Sequence, residues 1–287
     1  MIENNLLLNL EFNSDDTEKI EYADSICGEK IETIARDYWE KRGSFPHFLK
    51  RVRKTCDDIS PYTLDLLFIL HLTSFLKIEY EKRGIPEEIY WDTVKDIKFK
   101  TDECKMVKNA VGTFVAEWFE GFFRLTRFSF VRLQFDVLKS DEKISTKIKT
   151  VKKGDFILSC HIPSGSKLSY NDCTESYKRA YDFFKDRFVN SLPIICISWL
   201  LYPEYEDAFE NCPNTKRFIG DFTIYKVKTQ KSFEDAWRVF GCDEYKNTQA
   251  LPDRTTMQRA FIKHIEENKK FGYAFGILFF DGKRVIK

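Results

Sequence analysis

The chain has 287 residues, with 46 Lys and Arg against 45 Asp and Glu and a net charge of +1. That balance gives no overall field for holding nucleic acid or an anionic membrane, so neither is expected as a partner. Hydrophobic residues make up 43% of the sequence, 27 of them Phe, while Gly and Pro are few, which excludes a disordered or fibrous chain.

The length exceeds what one core usually organises, so two domains are expected. The eight cysteines are scattered, with no C-x-x-C pair and no Cys/His cluster at metal-ligand spacing. No metal is expected, and the thiols read as reduced, in a cytoplasmic protein. The first twelve residues carry Glu3 and Glu11 and no basic run, unlike a signal peptide. The most apolar run, Leu64 to Leu76, contains Asp65 and His71 and is too short to cross a bilayer.

Up to about residue 125 the periodicity is helical. Ile31, Ile34, Ala35, Tyr38 and Trp39 share one face of a helix that Gly43 is expected to close. Pro61 opens a second, with Leu64, Leu67, Phe68, Leu72 and Phe75 on a broad stripe ending near Gly84. Pro86 opens a third, carrying Ile89, Tyr90, Val94 and Ile97. Thr101 is expected to cap a long fourth helix, with Val107, Val111, Phe114, Trp118 and Phe122 along its apolar face.

Beyond Leu125 the pattern changes. Val131, Leu133, Phe135 and Val137 alternate with Arg132, Gln134 and Asp136, the period of a half-buried strand. The lysine-rich stretch Lys139 to Lys153 reads as a solvated hairpin or loop, followed by a strand from Phe156 to His161. A helix over Tyr170 to Arg187 and an apolar strand over Ile194 to Leu200 come next. An acidic helix after Pro203, an amphipathic one after Thr255 and a strand from Tyr273 to Phe280 complete the series. The expected class is α+β: a helical N-terminal domain, residues 1–125, and a mixed α/β domain, residues 126–287.

Chemistry concentrates where the strand ending at His161 passes through a small-residue loop into a helix. Ser169 is a plausible N-cap with Asp172 three residues on, Gly165 lets a ligand approach the backbone, and Lys167 adds a charge for a phosphate. Asp172 and Glu175 in the first turns oppose an anion there, so a simple capped helix is the competing reading. His161, at a strand end, is of the residue type that most often serves as a general base, or is a histidine held by the turn. Cys160 alternates to the opposite face, which separates it from His161, and Cys196 is the remaining thiol for a Cys/His hydrolase. No nucleophile elbow, P-loop or dinucleotide fingerprint occurs.

Four ordered blocks carry a family resemblance. They are Arg132-Leu-Gln-Phe135; His161-Ile-Pro163 with Gly165, Leu168, Ser176 and Ala180; Cys196 and Ser198-Trp-Leu-Leu201 with Pro203, Asn214 and Arg217-Phe218; and Leu251-Pro252 with Thr256 and Gln258-Arg-Ala260. In these the chain resembles the bacterial two-domain N-acyltransferases, which join a helical N-terminal domain to a GNAT-like C-terminal domain. Gly84-Ile-Pro86 and Asp92-Thr93 extend the likeness into the first half.

The resemblance implies an acyl-CoA co-substrate, with acetyl-CoA the first choice, and a small-molecule amine acceptor. It implies coenzyme contacts at Cys160, Ile162, Ser164, Gly165, Ser166 and Lys167. It also implies a base at His161, with Ser198 and Tyr202 as orienting or acid groups. Against the superfamily's Gln/Arg-x-x-Gly-x-Gly/Ala signature, Ile162 and Lys167 stand where a polar and a small residue are usual. A non-catalytic GNAT-like module binding a metabolite or a protein is the alternative. The helical half is left three roles: covering a sheet edge, walling the acceptor site or forming a homodimer.

Overall fold

The computed structural model describes residues 2, 5–188, 190–242 and 244–286. The chain divides into two compact units, Met1–Phe128 and Ser129–Lys287.

The first unit is helical among its described residues up to the strand at its end: α1 (Leu6–Asn9), α2 (Ser14–Lys41), α3 (Phe45–Val52), α4 (Pro61–Lys82), α5 (Glu87–Val94), α6 (Asp96–Lys108) and α7 (Glu120–Phe123). α2 starts where the Asn13 side chain accepts the Asp16 N–H, and it ends with Arg42, not Gly43, in the left-handed region at φ 50°. Arg42 tolerates that conformation with its guanidinium stacked 3.7 Å over the Trp39 ring. Tyr38 centres an aromatic cluster with Phe45, Phe48 and Phe68.

By length and composition α4 could cross a bilayer, but most of its residues are buried inside the protein. Asp65 and His71 in its buried part are paired: Asp65 takes a forked bond from Arg53, and His71 meets Asp24 at 2.7 Å. α4 is therefore a core helix whose buried carboxylate and imidazole are both matched.

The predicted fourth helix is shorter than expected. Thr101 lies inside α6 and donates to the Ile97 carbonyl, and α6 stops at Lys108 with Asn109 left-handed at φ 51°. The chain then crosses the start of α4, where Thr113 N–H donates to the Tyr62 carbonyl and Thr63 Oγ1 donates to that of Val111. A Cβ on Gly112 would fall 2.3 Å from the Tyr62 carbonyl carbon, so this crossing requires glycine. Phe119, Phe122 and Phe123 are buried after this turn, on a short 3-10 segment and α7, not on a continuation of α6.

The second unit is built on a mixed sheet. Its elements are β1 (Arg127–Phe130, which begins in the first unit), β2 (Leu133–Lys139), β3 (Ile144–Ser145), β4 (Thr150–Val151), β5 (Phe156–His161), α8 (Tyr170–Phe184), β6 (Leu192–Ser198), α9 (Pro213–Gly220), β7 (Thr223–Gln230), α10 (Ala236–Phe240), α11 (Thr256–Glu266), β8 (Phe271–Phe280) and β9 (Val285–Ile286). The strand order is β1-β2-β5-β6-β8-β7, with β9 beside β8. β5 and β6 are parallel, whereas β2–β5, β6–β8 and β7–β8 are antiparallel. Helices followed by this sheet make the class α+β, in agreement with the sequence pattern.

α8 covers one sheet face, where Tyr177 packs on Phe135 and Phe280. The other face carries Ile157, Ile195, Ile277 and Phe279, covered by Ile144 and Val151 of the β3–β4 hairpin. The lysine-rich stretch is thus a hairpin with two buried anchors. β6 ends at Ser198, two residues before the predicted limit, because its hydroxyl accepts the Leu200 N–H and turns the chain. The acidic segment after Pro203 forms short 3-10 turns in place of an α-helix. β7 is a mostly exposed edge strand with a bulge between Ile224 and Lys226, and its lysines hide the alternation. α11 begins, as its pattern predicts, after Thr255, which forms a capping box with Gln258.

Candidate active site

The sheet opens between β5 and β6. Their parallel pairing runs from Leu158↔Ile194 to Cys160↔Cys196 and goes no further. β5 stays with β2 as far as Gln134↔His161, while β6 stays with β8 as far as Ser198↔Ala274. Each strand follows its outer neighbour, so a gap begins beyond the two cysteines, with His161 on one lip and Ile197 and Ser198 on the other. Ile197 is 48% exposed, an apolar residue on the lip.

His161 is paired with a carboxylate. Its Nε2 lies 2.9 Å from Asp136 Oδ2, across the β2–β5 ladder. Asp136 pairs directly with Ser159, so its contact with His161 is the diagonal one of an antiparallel pair. An ionised carboxylate only accepts, so Nε2 carries the proton and the lone pair of a neutral ring falls on Nδ1. The ring keeps 27% of its side-chain surface exposed, whereas the Asp136 side chain keeps 11%. This is an imidazole–carboxylate pair, of which the sequence singles out only the histidine.

The loop after β5 is held from below. Gly165 takes φ 94°, and Gly165, Ser166 and Lys167 are exposed. Arg132, buried at 8% exposure, donates through Nε to the Lys167 carbonyl and through Nη2 to that of Ser166, both at 3.1 Å. In a trans peptide the N–H points opposite the carbonyl, so the N–H groups of Lys167 and Leu168 face away from Arg132. Ser169 caps α8 by accepting the Asp172 N–H, as expected. Ser176 Oγ receives the backbone N–H groups of Arg132 and Leu133 and donates to the Asp172 carbonyl, tying β2 to the first turn of α8.

Of the other expected site residues, Ser198 stands on the opposite lip and Tyr202 in an aromatic cluster. Ser198 shares the Cys196 face by alternation, away from His161, and its hydroxyl is engaged with Leu200 N–H. Tyr202 is 3% exposed in an aromatic cluster, its ring 4.9 Å from that of Tyr205. Neither joins His161. Cys160 is 1% exposed on the α8 side, and burial, with Cys196 and Cys173 adding to it, pushes its thiol well above the usual range. Burial likewise lifts the Cys173 thiol to about 12. Cys196 lies beside Cys160 on that face, which leaves no thiol–imidazole pair with His161. Ile162 and Ser164 are half-buried in the loop.

A parallel strand pair that parts beside a fixed loop and a helix N-terminus defines a GNAT-like acyl-transfer fold. The comparisons with known proteins agree. Residues 127–278 match the GNAT-like C-terminal domain and residues 1–125 match the N-acyltransferase N-terminal domain. The chain belongs to this two-domain N-acyltransferase family.

Among solved structures it is similar to an acyltransferase in complex with decanoyl-CoA and teicoplanin, at 19% identity and TM-score 0.73, over 96% of this chain and 87% of that one. It is also similar to an acyltransferase mutant in complex with octanoyl-CoA, at 19% identity and TM-score 0.73, over 95% and 86% of the two chains. At such identity the likeness establishes the fold. No curated protein matches the sequence.

Proposed function

We propose that the protein transfers an acyl group from acyl-CoA to the amine of a small-molecule acceptor. The observation that carries this reading is the pairing of His161 with Asp136 on the lip of the β5–β6 gap. The thioester would enter the gap, with the pyrophosphate over Gly165, Ser166 and Lys167. There backbone N–H groups and the Lys167 charge suit an anion.

The acceptor nitrogen attacks the thioester carbon, the C–N bond forms and the C–S bond breaks. His161 Nδ1 takes the amine proton, and Asp136 steadies the resulting imidazolium. That proton balances the departing thiolate. The acyl group is read as medium-chain in preference to acetyl. The support is the exposed Ile197 on the lip and the octanoyl- and decanoyl-CoA bound by the similar structures.

Calorimetric titration with octanoyl-CoA, acetyl-CoA and S-octanoyl-pantetheine tests the reading. Saturable binding of octanoyl-CoA, weakened for acetyl-CoA and lost for the pantetheine thioester, is expected. Release of free thiol on adding a primary amine should then follow. Absence of binding to either CoA ester would overturn the proposal.

A further inference from the structure

Next to the His161–Asp136 pair lies a buried polar side chain with no hydrogen-bond partner among the described residues. Gln134 is 1% exposed, and neither its Oε1 nor its Nε2 has a hydrogen-bond partner among the described residues. It is the direct Cα partner of His161 in the β2–β5 ladder and lies two residues from Asp136, so all three side chains share one sheet face. Directly opposed residues bring their Cβ atoms to about 5 Å. A buried carboxamide with both ends unpaired is disfavoured, and a Met or Leu of similar size would fit the strand without that penalty. A ligand seated on this face would supply the missing partners.

We propose that Gln134 binds the acceptor and selects an amine that carries an oxygen on the neighbouring carbon. This rests on the acyl-transfer reading above. Gln134 lies on the far side of β5 from the β5–β6 gap, the acceptor's side of His161 and not the thioester's. Oε1 accepts one hydrogen of the attacking amine while His161 takes another, which aims the nitrogen lone pair at the thioester. Nε2 donates to the vicinal oxygen of the same molecule. A carboxamide is the side chain that offers a donor and an acceptor side by side.

The experiment compares octanoyl-CoA aminolysis by 2-aminoethanol and by propylamine in the wild type and in Gln134→Met. The wild type should favour 2-aminoethanol. Gln134→Met should lose that preference, with kcat/KM for 2-aminoethanol down about thirtyfold from the two lost hydrogen bonds. Its thermal midpoint should be equal or higher, and its affinity for octanoyl-CoA unchanged. Gln134→Asn, which keeps the amide but shortens its reach, should fall between. A wild type that binds octanoyl-CoA but does not discriminate between the amines overturns the inference and leaves the acyl-transfer reading standing. So does a Gln134→Met protein that keeps the preference or unfolds at lower temperature, as a purely structural glutamine would. Failure of the wild type to bind octanoyl-CoA removes both.

Discussion

Arg132 is expected to control coenzyme affinity without touching the coenzyme. Its guanidinium holds the Ser166 and Lys167 carbonyls at 3.1 Å each, and its own backbone N–H is held by Ser176. Replacing it with Met removes both carbonyl bonds while keeping most of the buried stem. The two loop residues then regain backbone freedom, and a ligand must order them again at roughly 1–2 kcal/mol each. The total, about 2–4 kcal/mol, corresponds to a dissociation constant for octanoyl-CoA weaker by about thirtyfold to several hundredfold.

Arg132→Lys keeps the charge but offers a point donor in place of a fork, so it should recover only part of the loss. Calorimetric titration of the three proteins, with circular dichroism to confirm that each is folded, reads the effect directly. An Arg132→Met protein that is folded and binds octanoyl-CoA within threefold of the wild type would show that the 165–168 loop does not carry the pyrophosphate.

The remaining expectations concern other parts of the chain. His161→Ala should lower kcat by about 10²–10⁴-fold, the usual contribution of a general base, with octanoyl-CoA affinity unchanged; Asp136→Asn should lower it less. Parallel losses in affinity would instead make the histidine structural. Gly112→Ala drives a methyl into the Tyr62 backbone and should destabilise the protein by about 1–3 kcal/mol in urea unfolding; an unchanged midpoint would contradict the close approach. His264 is held below its usual range by burial, with its Nε2 bonded to the Lys270 carbonyl. The folded state therefore disfavours its charged form, and the unfolded chain takes up the proton first as pH falls below about 6.5. Stability should decline from there down through the lower folded value. His264→Gln should flatten that decline below about pH 6.5, as read by urea midpoints; equal slopes would remove His264 as the cause.

Much of the architecture follows from periodicity, and the departures have local causes. The α4, β5, α8 and α11 segments were legible because an N-terminal proline, an apolar run or an N-cap marks each one. α6 was overextended because the apolar spacing continues through Val111 and Phe114, although Gly112 places the chain against the α4 backbone. That constraint is tertiary and leaves no periodic trace. β7 was missed because Lys226 and Lys228 occupy an edge strand whose side chains are largely in solvent. His161 could be singled out as a strand-end histidine, but the residues around it were on the wrong side of an assumption. Arg132, Gln134 and Asp136 read as the solvent side of a half-buried strand, yet they are 8%, 1% and 7% exposed. Alternation of polar and apolar residues separates two faces; it does not say that the polar face is wet.

The gap itself has a covalent and a hydrogen-bonded cause, both visible in single residues. Pro163 has no N–H to give a ladder, and it biases Ile162 before it toward extended backbone, so the chain leaves β6 as soon as His161 is passed. On the other strand, Ser198 turns the chain by taking the Leu200 N–H, and Trp199 leaves for the cluster of Tyr205, Phe209 and Phe261. The two parallel strands are thus ended within two residues of their last pair by different means. β2 and β8 continue to hold them from outside. In the acyl-transfer reading proposed above, the backbone groups that this interruption leaves without a ladder partner would pair with the pantetheine amides of the thioester. On the β2 side Gln134, Asp136 and His161 share one sheet face beside the gap, so in that reading an acceptor on this face would meet His161 at the lip.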